Sequence, residues 1–122
     1  MSAPEFEITK SAGFDAAHYL PEGSAAGYRR VHGHSFQVEA TLRGPMQEPV
    51  GWVADLGALD HALKTLAQEL DHGLLNEQPG LESPTLERLC LHFAAKLRVE
   101  FPNLRRVTVS RPSIAERCTL EL

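Results

Sequence analysis

From His32 to Arg43 the chain alternates between two kinds of side chain, and no other feature restricts its fold as tightly. The even positions read His32, His34, Phe36, Val38, Ala40 and Leu42, while Ser35, Gln37, Glu39, Thr41 and Arg43 occupy the odd ones. A period of two is the mark of a strand with one face on the core and one on water. An earlier segment, Phe6, Ile8, Phe14, Ala16 and His18, keeps the same parity, with Lys10 as its polar exception. Two such strands can pair antiparallel. The stretch Leu20-Pro21-Glu22-Gly23-Ser24-Ala25-Ala26-Gly27-Tyr28 between them is rich in turn formers and small residues, which suits a loop folded over the end of a hairpin.

The same parity puts imidazoles where the core should be. His32 and His34 project from one face, about 7 Å apart along the strand, and in an antiparallel pair His18 can meet both. A lone histidine on an apolar face is usually a hydrogen-bonded core residue. Three that converge are different, because each brings a donor and an acceptor that burial must satisfy. A metal ion resolves this by taking one nitrogen from each. Catalytic zinc commonly has three protein ligands, three histidines among the known sets, and an open fourth position for water or substrate. Iron, nickel or copper would accept the same donors.

Further along, the period changes. Asp55 is a natural N-cap for a helix with the stripe Leu56, Leu59, Leu63, Leu66, Leu70, which should stop at Asp71-His72-Gly73 with the glycine in the left-handed conformation. After a turn-rich stretch, a second helix should start at Ser83-Pro84, with proline in its first turn, and carry Leu86, Leu89, Cys90, Phe93 and Leu97 to a stop before Pro102. Alternation then returns, with Val107 and Val109 in one strand and Cys118, Leu120 and Leu122 in another, separated by Arg111-Pro112-Ser113 and its neighbours. The order ββααββ predicts an α+β fold, a four-stranded antiparallel sheet with two helices on one face.

Size and charge fit this reading. At 122 residues the chain suits one domain, 1–122, with room for one core but little for an enclosed cavity, so a site between subunits is the natural expectation. A net charge of -4 argues against a nucleic-acid or anionic-membrane surface. No long apolar run or signal-type start is apparent, which predicts a soluble, cytoplasmic protein. Cys90 and Cys118 lie in apolar-periodic segments, where a thiol behaves as a small hydrophobe rather than a nucleophile.

Five segments in order, Phe14-Asp15-Ala16-Ala17-His18, His32-Gly33-His34-Ser35-Phe36, Gly51-Trp52-Val53-Ala54-Asp55, Leu70-Asp71-His72-Gly73-Leu74-Leu75-Asn76 and Pro84-Thr85-Leu86-Glu87, resemble the successive motifs of the 6-pyruvoyl-tetrahydropterin and 6-carboxytetrahydropterin synthase family. The resemblance implies the tunnelling fold, in which trimers close a barrel and two trimers stack into a homo-hexamer with active sites between subunits. It implies zinc on His18, His32 and His34, and a lyase reaction on 7,8-dihydroneopterin triphosphate or a related pterin, with queuosine biosynthesis as one setting. It further implies proton shuttling by His72 and Asp71, the carboxylate orienting the imidazole and raising its basicity, and substrate contacts at Thr85 and Glu87.

Two positions depart from the family pattern. A cysteine is expected four residues before the first histidine of His-x-His, and Tyr28 stands there. A phenol, with a reference pKa of about 10, is a weak base unless a cation lowers it, and Arg29 and Arg30 are the adjacent candidates. They are equally candidates for a triphosphate clamp. Some branches use a glutamate in this loop instead, a role neither arginine can fill, and Glu22 lies farther off. The second departure is position 111, where the resemblance implies a glutamate gripping the pterin edge and the chain has Arg111. A guanidinium has no acceptor for the pterin's donors. Either Arg111 pairs with an anionic ligand, or it turns outward and Glu87 or Glu116 takes the glutamate's part. The competing expectation is a zinc-binding relative that has lost the lyase reaction and binds a different, anionic heterocycle.

Overall fold

A computed structural model describes residues 3–21 and 23–122. Strands β1 (Glu5–His18) and β2 (His32–Pro45), 14 residues each, pair antiparallel along their full length. The register sets His18 opposite His32 and Ala16 opposite His34, so the expected meeting of the three imidazoles follows from the hairpin itself. After helices α1 (Leu56–Leu70) and α2 (Leu86–Glu100) the chain returns as β3 (Leu104–Arg111) and β4 (Glu116–Glu121). The four antiparallel strands lie in the order β1-β2-β3-β4. Helix α1 packs on β1, and α2 on β3 and β4.

The alternating face becomes the core floor. Val38, Ala40 and Leu42 are at 0% exposure, as are Leu59, Leu63, Leu89 and Phe93 of the helices above them. Phe14 and Phe36 stack with ring centroids 5.0 Å apart, and Phe93 closes on Phe14 from α2 at 5.9 Å. The opposite face is polar. Glu7 and Glu121 both pair with Arg106, and Thr9 and Thr41 share a 2.8 Å hydroxyl contact.

Four boundaries differ from the sequence expectation. Asp55 caps α1, its carboxylate accepting from the Gly57 N–H at 2.8 Å, but Leu56 is 43% exposed and Ala67 takes a place in the buried stripe with Leu59, Leu63 and Leu70. At 3.6 residues per turn Leu56 lies on the same side of the helix as Leu63 and Ala67, so its exposure comes from its place as the first helical residue and not from the width of the stripe. Helix α2 begins at Leu86 rather than within Ser83-Pro84: the Thr85 hydroxyl accepts from the Arg88 N–H at 3.2 Å and so caps the helix, leaving Pro84 ahead of the cap. Arg111 is the last paired residue of β3, opposite Glu116, rather than part of the turn, which is the short 3-10 segment Pro112–Ile114. Leu122 follows β4 instead of ending it. No helix among the described residues is long and apolar enough to cross a membrane.

Candidate metal centre and its surroundings

The hairpin end that should have been core carries His18, His32 and His34, each offering one ligand nitrogen with all three within 4.8 Å of one another. Ring centroids lie 4.6, 5.0 and 4.9 Å apart, a nearly equilateral triangle. The carbonyls around it decide which nitrogens face inward. His18 Nδ1 lies 3.2 Å from the Pro84 carbonyl, and His32 Nδ1 2.7 Å from the carbonyl of Arg30. A carbonyl can only accept, so both Nδ1 atoms carry the hydrogen and donate it. The two Nε2 atoms, 3.1 Å apart, therefore present lone pairs to each other. Facing lone pairs repel unless a cation sits between them. Ligands at about 2.0–2.1 Å from a tetrahedral zinc would themselves be about 3.4 Å apart, so this donor set fits a metal ion.

Burial supports the neutral form that a metal needs. His18 is 1% exposed. Its removal from water pushes the imidazolium down to about 4, against the opposing hydrogen bond to the Pro84 carbonyl. His34 is lowered as well, first by burial and then by the charge of Arg111. That guanidinium is not turned outward: its side chain is 16% exposed, and its carbon lies 5.9 Å from the Phe36 ring centroid, the ring next to His34.

A second cluster stands at the end of α1. Asp71 Oδ1 accepts from the Asp15 N–H at 2.8 Å, and Oδ2 accepts from His72 Nδ1 at 2.8 Å. The Asp15 amide and then His72 hold the Asp71 carboxyl below its usual range. The left-handed residue that closes the helix is His72, at φ 58°, and not Gly73. Such a backbone costs a non-glycine residue about 1–2 kcal/mol, and here the His72 N–H donates to the Asp15 carbonyl at 2.7 Å to hold it. The imidazole emerges 81% exposed. It lines, with His34, Asp15, Ser35 and Ser113, an open cleft of about 780 Å³. His72 of the expected proton-handling pair and one histidine of the candidate metal site thus share one cleft.

Other expected site residues are placed differently. Tyr28 is 58% exposed in the 3-10 turn Ala26–Arg29, with its ring centroid 6.2 Å from that of His32. Arg29 and Arg30 are exposed in the same turn, and Arg30 serves the site through its carbonyl. Thr85 is occupied as a helix cap and Glu87 is exposed in the first turn of α2. Glu116 is ion-paired to Arg111, and Glu22 lies outside the described residues. Residues not foreseen include Pro84, whose carbonyl orients His18, and Asn76, whose side chain accepts from the Tyr19 N–H at 3.0 Å and donates to the Tyr19 and Glu82 carbonyls. Asn76 ties the residue after His18 to the segment that delivers Pro84. Both residues stand in the family-like segments, Asn76 closing the fourth and Pro84 opening the fifth, but neither carried an expected role.

Comparisons with known proteins show what the chain is similar to. Residues 7–121 match the family described as 6-pyruvoyl tetrahydropterin synthase. A Synechocystis protein named 6-carboxy-5,6,7,8-tetrahydropterin synthase is 38% identical over 120 residues, covering 92% of this chain and 87% of its own. An Archaeoglobus fulgidus protein provisionally given the same name is 39% identical over 106 residues, covering 87% and 88% respectively. The solved Caenorhabditis elegans 6-pyruvoyl tetrahydropterin synthase superposes with a TM-score of 0.84 at 21% identity, over 100% of this chain and 99% of that one, so the two share a fold.

Proposed function

The chain belongs to the 6-pyruvoyl tetrahydropterin synthase family, and from that premise we propose that it is a zinc-dependent lyase acting on 7,8-dihydroneopterin triphosphate or a closely related pterin. The observation that carries the reading is the pair of inward Nε2 lone pairs on His18 and His32, 3.1 Å apart, with His34 completing the triangle. Zinc bound there would polarise substrate side-chain oxygens as a Lewis acid.

The chain's own residues supply orientation and proton handling. The Pro84 and Arg30 carbonyls fix the tautomers of His18 and His32, as partners of ligating imidazoles commonly do. Asp71, itself pinned by the Asp15 amide, holds His72 through Nδ1, which leaves His72 Nε2 free to take or give a proton in the cleft shared with His34. Tyr28 and Arg29 in the turn beside His32, with Arg30 directly after it, are the groups we assign to a triphosphate. The assembly that suits this arrangement is a trimer closed through the free sides of β1 and β4, the two edges of the sheet, with two trimers forming a hexamer and completing the exposed His72 and Tyr28 corners.

Elemental analysis of protein purified without added metal should find zinc near one ion per chain, and His34→Ala should lose it. Zinc-loaded protein should turn over dihydroneopterin triphosphate; the absence of both turnover and calorimetric binding of that compound would end the proposal. A second reading, a family relative that retains the metal and has lost the lyase step, is favoured by Tyr28 standing where the family pattern has a thiol. A ligand-bound structure with a heterocycle at the metal and Tyr28 turned away from it would support that alternative.

A further inference from the structure

Arg111 occupies a place that packing does not explain. It sits on the core-facing side of β3, the side of Val107 and Val109, one row from the metal-site histidines, and its side chain is largely withdrawn from water. Its Nε lies 2.9 Å from Glu116 Oε1, yet the N–H is not directed at that oxygen, so the contact is an ion pair and the buried Nε has no hydrogen bond. The guanidinium presents five donors in a planar fork, and Glu116, across the β3–β4 ladder, meets one edge of it.

The charge count of this corner is also uneven. Three neutral imidazoles contribute nothing, a divalent ion adds two positive charges and Arg111 adds one; Glu116 offsets one of these. A half-buried site with this surplus favours a negatively charged ligand, because the cost of bringing the anion out of water is met by cations already held in place.

We infer that Arg111 is a specificity-determining residue of the metal site: its guanidinium receives an oxyanion, a carboxylate or phosphate, on a ligand that also reaches the metal's open position. The inference rests on the metal-centre reading above and narrows its substrate class to compounds with an acidic group beside the metal-binding oxygens. Glu116 holds the guanidinium in place and competes with the ligand for it. This gives the two residues of one ion pair opposite effects on binding, which a purely structural pair would not show.

The test is calorimetry on zinc-loaded protein with pterin-6-carboxylate, 6-hydroxymethylpterin, acetate and inorganic phosphate, with zinc content checked in every variant. Pterin-6-carboxylate should bind at least about tenfold more tightly than its neutral hydroxymethyl counterpart, as expected for one charge-assisted hydrogen-bonded pair. Arg111→Gln should erase that preference, and Glu116→Gln should strengthen binding of the oxyanions. In cobalt-substituted protein, the visible absorption change on adding the oxyanion should follow the same order. The inference is overturned if Arg111→Gln leaves the preference intact, if both substitutions weaken binding alike, or if the hydroxymethyl compound binds as tightly as the carboxylate. That last outcome leaves the pterin reading standing. Arg111-dependent binding of acetate or phosphate with no binding of either pterin would support the oxyanion site and sink the pterin reading instead; acetate against phosphate then identifies the acidic group.

Discussion

The two ends of the β1–β2 hairpin follow the same alternation and meet opposite fates. Toward the middle and base, Val38, Ala40 and Leu42 go under α1 and α2 and leave no trace of exposed surface. At the tip, the same face carries His18, His32 and His34, and packing alone cannot finish the job: the inward nitrogens repel one another, and the helices give way to an open cleft. Parity decides which face a side chain takes. Chemistry decides whether burying it completes the structure or leaves it waiting for a ligand. One end of the sheet therefore stabilises the fold by itself, and the other presents three histidines that could hold a metal ion.

Exchanging a residue at each end tests this directly. Phe93, at 0% exposure and packed on Phe14, belongs to the self-sufficient end. Phe93→Ala should cost about 3–5 kcal/mol of unfolding free energy with or without metal, read from urea denaturation. His34→Ala should alter the metal-free protein by less than about 1 kcal/mol, while removing the gain of about 2.7 kcal/mol that metal at a hundred times its Kd gives the parent. The contrast fails if His34→Ala destabilises the metal-free protein as much as Phe93→Ala does. Between these ends lies the Asp71–His72 corner, where a loss should appear in turnover rather than in stability. Asp71→Asn keeps an acceptor for the Asp15 amide but removes the charge from His72, and should lower turnover by about a hundredfold while leaving bound metal and thermal midpoint close to those of the parent. A large fall in the midpoint would instead make Asp71 a structural cap.

Much of this contrast was legible before any coordinates. The parity of residues 32–42 and of Phe14, Ala16 and His18 placed three imidazoles on one face, because a strand's side-chain period is fixed by its backbone. Asp55 was legible as a cap for the same kind of local reason. What escaped depended on contacts between distant segments. That Leu56 stays exposed at the first turn of α1 while Ala67, on the same face, is buried is set by how far along the helix its seat on β1 extends. The left-handed residue falls at His72 and not Gly73 because Asp15, 56 residues away from Asp71, supplies the hydrogen bonds. Thr85 looked free for substrate because its role as a cap depends on where Pro84 must point its carbonyl, and that target is His18. Arg111 was legible as a departure, but not that Glu116 would be its partner across a turn whose length only the structure sets.

The smallest effect falls on a histidine that has no such role. His92, on α2, has its Nε2 buried with no hydrogen-bond partner, and burial lowers its imidazolium below the ordinary 6.5; Lys96 adds to this and Glu69 opposes it. Like His18 and His34 it is favoured neutral, but nothing converges on it. Its folded-state pKa lies below its unfolded one, so between the two values the unfolded chain binds more protons and stability falls as pH falls through that window, while above about 6.5 the effect vanishes. His92→Leu should therefore raise the thermal midpoint relative to the parent at pH 5.5 and change it far less at pH 8, with zinc present throughout so that His18, His32 and His34 stay deprotonated in both proteins. An equal change at both pH values would mean that His92 acts through packing alone. The difference between the two midpoints isolates what an unpaired buried imidazole costs this fold, the cost that a metal ion held by the three histidines of the hairpin tip would turn into binding energy.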